Sequence, residues 1–400
     1  MTKLSKLVTL FSTAMLMSCA TQSMTVGTEA PDPISTYKMI VQQDSSWIMV
    51  TAESVMGKAP RHVTEAFCER SQGGAHDFYS EGDYWWPDTE NPEGPYIRRD
   101  GMSNPDNFVD HRLAMRDMSL TVAALTAAFK ISGDPKYAEE AINHLNTWFI
   151  NPDTRMNPNM AYAQAIKGRV PGRGVGLIDG IHLVEPARCI MVLHDRGQLD
   201  LAVFEQYKLW FKEFLTFMTT HEYGIDERDR KNNHGTCWVL QAATYATLTG
   251  DLEILEYCRD RYKHTLLPNQ MSPDGGFHME LSRTKPYGYS LFNIDVMAAA
   301  VQILSTEQDN LWTFALEGGE GMKRGMEFIV PFIADKSAWP YDQDVMYWDQ
   351  WPQRHVALLF YGTAMNNSEY LGLWKQFPPM PETQEGLRNF PIRMPVLWYD

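Results

Sequence analysis

With 400 residues and 44% apolar content, the chain is long enough to bury a large core in one to three domains. A formal net charge of −15 excludes nucleic acid as a general partner, and any anionic ligand must be met by a local basic groove on an acidic body. Five cysteines in such a length make no disulfide framework.

In chain order, Lys3 and Lys6 precede an apolar run from Leu7 to Leu16. That run is too short to span a bilayer and has the flank of a secretory signal. It ends in Leu16-Met17-Ser18-Cys19, which resembles the bacterial lipoprotein cleavage box. Residues 1–18 are therefore expected to be a lipoprotein-type signal peptide, with a lipid on Cys19 as the only membrane attachment. This address is periplasmic or on the outer membrane. Cleavage removes two lysines and no acid, taking the formal charge from −15 to −17. Residues 19–45, rich in Ser, Thr, Pro and Gln, read as a tether, and 46–400 as a single domain whose first amphipathic segment runs from Ser46 to Lys58. Cys68, Cys189, Cys237 and Cys258 have no CxxC spacing, which leaves open one bridge in an oxidising compartment.

Residues 68–110 carry five glycines with Tyr79, Tyr84, Trp85, Trp86 and Tyr96, and no helical period survives there. A loop this long inside a domain is usually functional. Helices follow. Leu113–Ile131 stops at Ser132-Gly133-Asp134-Pro135, where Gly ends one helix and Pro opens Tyr137–Phe149. The design returns as Trp238–Leu248, Thr249-Gly250-Asp251 and Leu252–Leu266. Two such hairpins predict a stack of helical hairpins. Apolar spacing predicts further helices over Leu177–Arg196, Leu201–Thr220, Leu291–Leu304, Leu311–Ile333 and Val356–Met365, and the tail after Pro378 reads as irregular. The expected fold class is all-α, an (α/α) toroid of antiparallel hairpins with long loops forming a groove. The pattern alone does not fix closure, so an open helical stack is the alternative.

The segments richest in chemistry are Asn232-Asn233-His234-Gly235-Thr236 and the run from Glu280 to Asn293, which contains Arg283, Lys285, Tyr287 and Tyr289. With Gly82-Asp83-Tyr84-Trp85-Trp86-Pro87, Tyr162-Ala163-Gln164-Ala165, Gly172-Arg173-Gly174-Val175-Gly176 and Ile178-Asp179, they resemble in order the alginate lyase family of (α/α) toroid proteins. The resemblance implies β-elimination on polymers of 4-linked hexuronic acids, with no cofactor and an acidic polysaccharide as partner. Abstracting H5 of a uronate builds charge on the neighbouring carboxylate, so positioned donors must neutralise it. Asn233 offers an amide and Arg283 a charge-assisted fork. Tyr289 is the expected acid for the leaving oxygen, and in a syn elimination also the base, provided cations such as Arg283 favour its phenolate. His234 is the base on the opposite face, or the group that tunes Tyr289.

Each has a plainer reading. Asn233 can cap the helix at His234, and His234 can be an ordinary surface or core histidine. Arg283 can pair with Glu280 three residues earlier, and Tyr287 competes for the phenol's role. Expected substrate contacts are Tyr84, Trp85, Trp86, Arg99, Gln164, Lys167, Arg173, His182, His278, Lys285 and Tyr287. Arg98 and Arg169 add to the basic field. The tryptophans can instead plug the end of the toroid. No HExxH, Cys–His cluster, phosphate-cradling loop or dinucleotide fingerprint is present, so no metal is expected. Two other classes stand beside the lyase: an (α/α) glycoside hydrolase using carboxylates from Asp342, Asp344 and Asp349, and a non-catalytic glycan-binding lipoprotein.

Overall fold

The computed structural model describes residues 33–400. The signal peptide and Cys19 lie outside the described residues. The tether does not reach residue 45, because Pro33–Val55 is one helix, α1. Thr36, Ile40, Asp44, Ile48 and Ala52, followed by Val55 at its end, are its buried positions. Steps of four residues, then three, place these on one stripe, which packs on the next helix. Polar composition suggested a linker, but the apolar spacing decides.

The other helices are α2 (Asp110–Ser132), α3 (Pro135–Phe149), α4 (Val184–Asp195), α5 (Leu201–Thr220), α6 (Glu222–Arg228), α7 (Asn233–Thr249) and α8 (Leu252–Arg261). They continue as α9 (Leu267–Gln270), α10 (His278–Leu281), α11 (Pro286–Leu304), α12 (Met322–Ala334), α13 (Val356–Ala364), α14 (Ser368–Trp374) and α15 (Gln384–Arg388). Both expected hairpins form as their punctuation dictates. Gly133 and Gly250 adopt φ of 74° and 78°, the left-handed C-terminal stop, while Asp134 and Asp251 accept hydrogen bonds from the first turns of α3 and α8. Two expectations shift. Leu177–Arg196 is a 3₁₀ stretch, Gly174–Leu183, leading into α4, and the helix expected from Leu311 begins only at Met322. Gly318, Gly319 and Gly321 keep the chain before it in a turn.

Burial sorts the helices into two layers. Along α2, α7, α11 and α13 nearly every position is buried, whereas α3, α5 and α12 bury one face. A helix apolar all round must be surrounded, and a one-sided helix belongs outside. Contacts follow that rule. The inner helices pack in the series α2, α4, α7, α11, α13, while α3 backs α2, α5 and α8 back α7, α12 backs α11 and α14 backs α13. The core is continuous from Ile40 to Tyr399. This is the expected (α/α) toroid.

The tail performs the closure that helix pattern left open. Though mostly irregular, it buries Phe390, Ile392, Met394, Val396, Leu397, Trp398 and Tyr399. Its last turn, Pro395–Trp398, packs on α1, α2 and α4. Arg393, fully enclosed, donates to Ser119 of α2 (3.1 Å), Glu185 of α4 (3.4 Å) and His182 (2.7 Å). Removing one member of a buried pair strands the other charge. Arg393→Ala is expected to cost about 3–5 kcal/mol, read as a lowered urea midpoint. An unchanged midpoint would mean the tail does not close the ring.

Two small sheets shape the loop over the ring: Tyr79–Glu81 (β1) pairs in parallel with Tyr162–Ala165 (β4), and Trp85–Trp86 (β2) pairs antiparallel with Ile97–Arg98 (β3). Cys68, Cys189, Cys237 and Cys258 are all buried free thiols, so the bridge left open by the sequence is not made.

Candidate active site

A cleft of about 670 Å³ opens at the end of the ring, within the range of ligand-sized sites. Asn233, His234, Arg283 and Tyr289 all line it. The first two come from the start of α7, the third from the turn after α10, and the fourth from the first turn of α11. Inner helices α7 and α11 pack side by side, which brings together two segments about fifty residues apart in sequence.

Asn233 is not a cap. Asn232 occupies the cap position, and Asn233 is the first helical residue. Its backbone N–H and its side-chain Nδ2 donate to the two oxygens of Glu280 at 2.9 and 3.1 Å. Its Oδ1 is buried and has no partner.

His234 rests on Glu227, one helix back on α6. Nδ1 lies 2.8 and 3.0 Å from the two carboxylate oxygens. A ring N–H placed between two oxygens fits a carboxylate acceptor, so Nδ1 carries the proton and Nε2 keeps its lone pair. Glu227 is fully buried; burial pushes its carboxyl up, and His234 offsets this only in part.

Arg283 does not pair with Glu280. Its fork grips Asp100 of the long loop at 3.0 and 3.1 Å, and Arg98 and Thr284 hold the same carboxylate. Burial alone would raise Asp100, but these partners hold it down at about 2. The guanidinium carbon sits 4.5 Å over the Tyr289 ring, and Nη2 reaches its hydroxyl at 3.5 Å. Thus the fork expected to be open for a sugar carboxylate is anchored to the loop and turned against the phenol.

Tyr289 shares a 2.7 Å hydrogen bond with Tyr84, and the Lys285 ammonium lies over both rings at 5.3 and 5.2 Å. Burial raises the Tyr289 hydroxyl well above the ordinary tyrosine range, and Tyr84 adds to it. Arg283 pulls the other way without prevailing. The sequence expectation that cations would favour a phenolate is therefore reversed. At rest this group holds its proton.

Of the expected substrate contacts, Tyr84, Trp85, Gln164 and Arg173 line the cleft. Gln164 has φ 49°, an uncommon backbone for a non-glycine residue, and Ser80 Oγ accepts its N–H at 2.9 Å. The glycines behind it are required by close approach: a Cβ on Gly172 would lie 2.0 Å from the Ala161 carbonyl oxygen. Arg173 donates to the Gln164 backbone and side-chain oxygens at 3.0 and 2.8 Å, and burial lowers it to about 10.

Other expected contacts lie elsewhere. Tyr287 is fully buried, and its hydroxyl donates to the Phe332 carbonyl, so it is no rival to Tyr289. His182 is enclosed against Arg393; burial first, and that cation second, keep it neutral. His278 is exposed at the start of α10, away from the cleft lining. Trp86 donates to the Met102 carbonyl beneath Arg99, so both brace the loop. Lys167, with Arg169, lines a neighbouring hollow of about 370 Å³. Lys285 is buried and paired with Glu385 at 3.0 Å, behind the phenols.

The sequence reading missed several residues. Glu227, Glu280 and Asp100 are the acids gripping the imidazole, amide and guanidinium. Arg388 and Asn389, from the tail, complete the wall, with Arg388 anchored to Asp83 at 2.7 Å. Arg230 and Lys231 add charge at the rim. The lining carries Arg98, Arg173, Arg230, Lys231, Arg283 and Arg388 against Asp83, Asp226 and Asp229, a local positive surplus on an acidic chain. Arg230 and Lys231 stand close to His234 in sequence, but nothing in sequence brings residue 388 to residue 83. Among the described residues, no group of three or more His, Cys, Asp or Glu is arranged to hold a metal ion.

A family model described as alginate lyase matches residues 63–339. Among solved structures, the chain is similar to an alginate lyase from Bacteroides ovatus, at 28% identity and a TM-score of 0.80, over 91% of this chain and 97% of that one. It is also similar to a variant of alginate lyase A1-III complexed with a tetrasaccharide, at 14% identity and a TM-score of 0.57, over 94% and 98% of the two chains. At that identity the likeness speaks for the fold alone. No curated protein matches the chain. Because the family match covers well over half of the sequence and the helical ring is shared, this chain belongs to the alginate lyase family and is a polysaccharide lyase.

Proposed function

We propose that the protein cleaves 4-linked polyuronate, alginate first, by β-elimination, releasing oligouronides with an unsaturated end. The observation that carries this reading is that one positively lined cleft holds an imidazole with a free Nε2 and a phenol that keeps its proton. Those groups can serve as a base and an acid in one site. His234 Nε2 takes H5. As negative charge grows on the sugar carboxylate, the amide at Asn233 and the cationic wall stabilise it. Tyr289 gives its proton to the departing glycosidic oxygen, a transfer assisted by Arg283, which favours the phenolate that forms. The hydrolase reading loses its carboxylates: Asp342, Asp344 and Asp349 are not on the cleft, and Asp344 accepts the Tyr287 and Gly288 N–H groups at 3.0 and 2.9 Å.

The test is product chemistry. Alginate, polymannuronate, polyguluronate and glucuronan are incubated with the protein while ultraviolet absorbance and chain length are followed. Elimination gives a conjugated band as chains shorten, and the band should be strongest with an alginate polymer. Shortening without the band means hydrolysis, and retention without shortening means a binding protein. Glucuronan as the sole substrate would keep the chemistry and replace the polymer.

Binding should weaken steeply with salt, since screening shortens from about 30 Å at 0.01 M to about 3 Å at 1 M ionic strength. Oligouronate affinity for an inactive variant, measured by calorimetry, is expected to fall at least tenfold across that range. Constant affinity would remove the basic lining from the argument. We also read Cys19 as the lipid anchor of an exported protein. Labelling with a clickable fatty acid, lost in Cys19→Ser, tests it.

A further inference from the structure

Asn233 and Glu280 are both almost wholly enclosed, at 4% and 1% exposure. The amide donates Nδ2 to Glu280 Oε2 at 3.1 Å, and its carbonyl oxygen is left buried without a partner. An orphaned buried acceptor is costly, and native structures seldom keep one without reason. It is also the wrong group for the task, because a carbonyl oxygen repels a sugar carboxylate where an NH₂ would bind it. Turning the amide over is blocked while Glu280 is ionised, since two acceptors would then face each other. The turn becomes favourable once Glu280 carries a proton. Its Oε1 still accepts the Asn233 backbone N–H, at 2.9 Å, while the protonated Oε2 donates to Oδ1 and the NH₂ takes the orphaned position, in a residue that lines the cleft.

We infer that Glu280 is a proton-holding positioning residue that sets which end of the Asn233 amide meets the substrate carboxylate. Uronate binding takes up one proton from solvent at Glu280 and turns the amide, with no bond broken in the chain. The inference rests on the lyase reading of the cleft.

The surroundings suit this state. Burial raises the carboxyl, and Asp100 across the loop adds to it; the Asn233 N–H, Arg283 and His234 oppose. Arg283 is drawn away by its fork on Asp100, and His234 is turned to Glu227. Cys237, one turn into α7, also lies near both carboxylates, and burial keeps its thiol protonated. An arriving carboxylate is a further negative charge beside Glu280, which again favours the proton.

Three variants test the idea. Glu280→Gln mimics the protonated acid, because its amide can accept the backbone N–H and donate to Oδ1. It should keep kcat within about tenfold of wild type, and the rise of KM with pH expected of wild type should be flattened. Glu280→Leu, which can do neither, should lose at least about a hundredfold in kcat/KM. Glu280→Asp, too short to reach both atoms, should fall between them. A readout independent of turnover is the infrared carboxylic-acid stretch. Wild-type protein should gain that band on binding an oligouronate, and Glu280→Gln should lack it. If Glu280→Gln falls as far as Glu280→Leu, or wild type gains no such band, the inference is overturned. Should wild type form no unsaturated ends on any polyuronate, the lyase reading fails, while the infrared result still decides the proton on Glu280.

Discussion

Tyr289→Phe should lower kcat by about 10²–10⁴ with helicity and melting temperature almost unmoved, the range expected for losing a positioned general acid. The substitution removes one oxygen that is hydrogen-bonded to Tyr84 at 2.7 Å and Arg283 at 3.5 Å, and it leaves the ring under the Arg283 cation. KM should change little, because a phenol that gives its proton to the leaving oxygen acts mainly in the transition state. The pH profile supplies a second check. Burial and Tyr84 raise this hydroxyl, so the proton stays on as pH rises through about 10, where an ordinary tyrosine ionises. The kcat profile should therefore show no alkaline loss from this group below its ordinary titration point. Tyr287→Phe is the matched control. It deletes a hydroxyl bonded to the Phe332 carbonyl on the far side of α11, costing about 1 kcal/mol of stability and little activity. If the two variants exchange these phenotypes, the acid has been misassigned.

His234→Ala should be as damaging, about 10²–10⁴ in kcat, at least on guluronate-type linkages whose base must come from the face opposite the leaving oxygen. The informative partner is Glu227→Gln. A glutamine there can donate its NH₂ to Nδ1, moving the ring proton to Nε2 and blocking the nitrogen that faces H5. It should approach the loss of His234→Ala although the imidazole itself is untouched. Glu227→Asp keeps the charge and should recover part of the rate. Glu227 is fully buried and its own carboxyl is raised, so Glu227→Gln should not cost stability as a cut salt bridge does. Full activity in Glu227→Gln would leave His234 without its orienting acid and return it to a structural role.

The helical hairpins could be read because their signals are local. Gly133 and Gly250 stop helices through backbone freedom, Asp134 and Asp251 start them through their own carboxylates, and the inner helices announce themselves by apolar runs. The imidazole–amide doublet and the Tyr289 segment were legible for the same reason. Each sits at a helix start with its neighbours in sequence.

Long-range pairing was not legible. The reading of α1 failed where polar composition hid a four-residue stripe, and Tyr287 and Tyr289 could not be told apart by type. Two residues apart on the first turn of α11, they face opposite ways, one to Phe332 and one to Tyr84. Sequence alone determined which elements form and which chemical groups the chain carries. Tertiary structure decided how those groups behave: Arg283 grips Asp100, Glu227 fixes the imidazole, Arg388 arrives from the tail, and burial outweighs a neighbouring cation at Tyr289. The reason is physical. Helix starts and stops depend on atoms a few residues apart, whereas desolvation and charge depend on whatever the ring brings alongside.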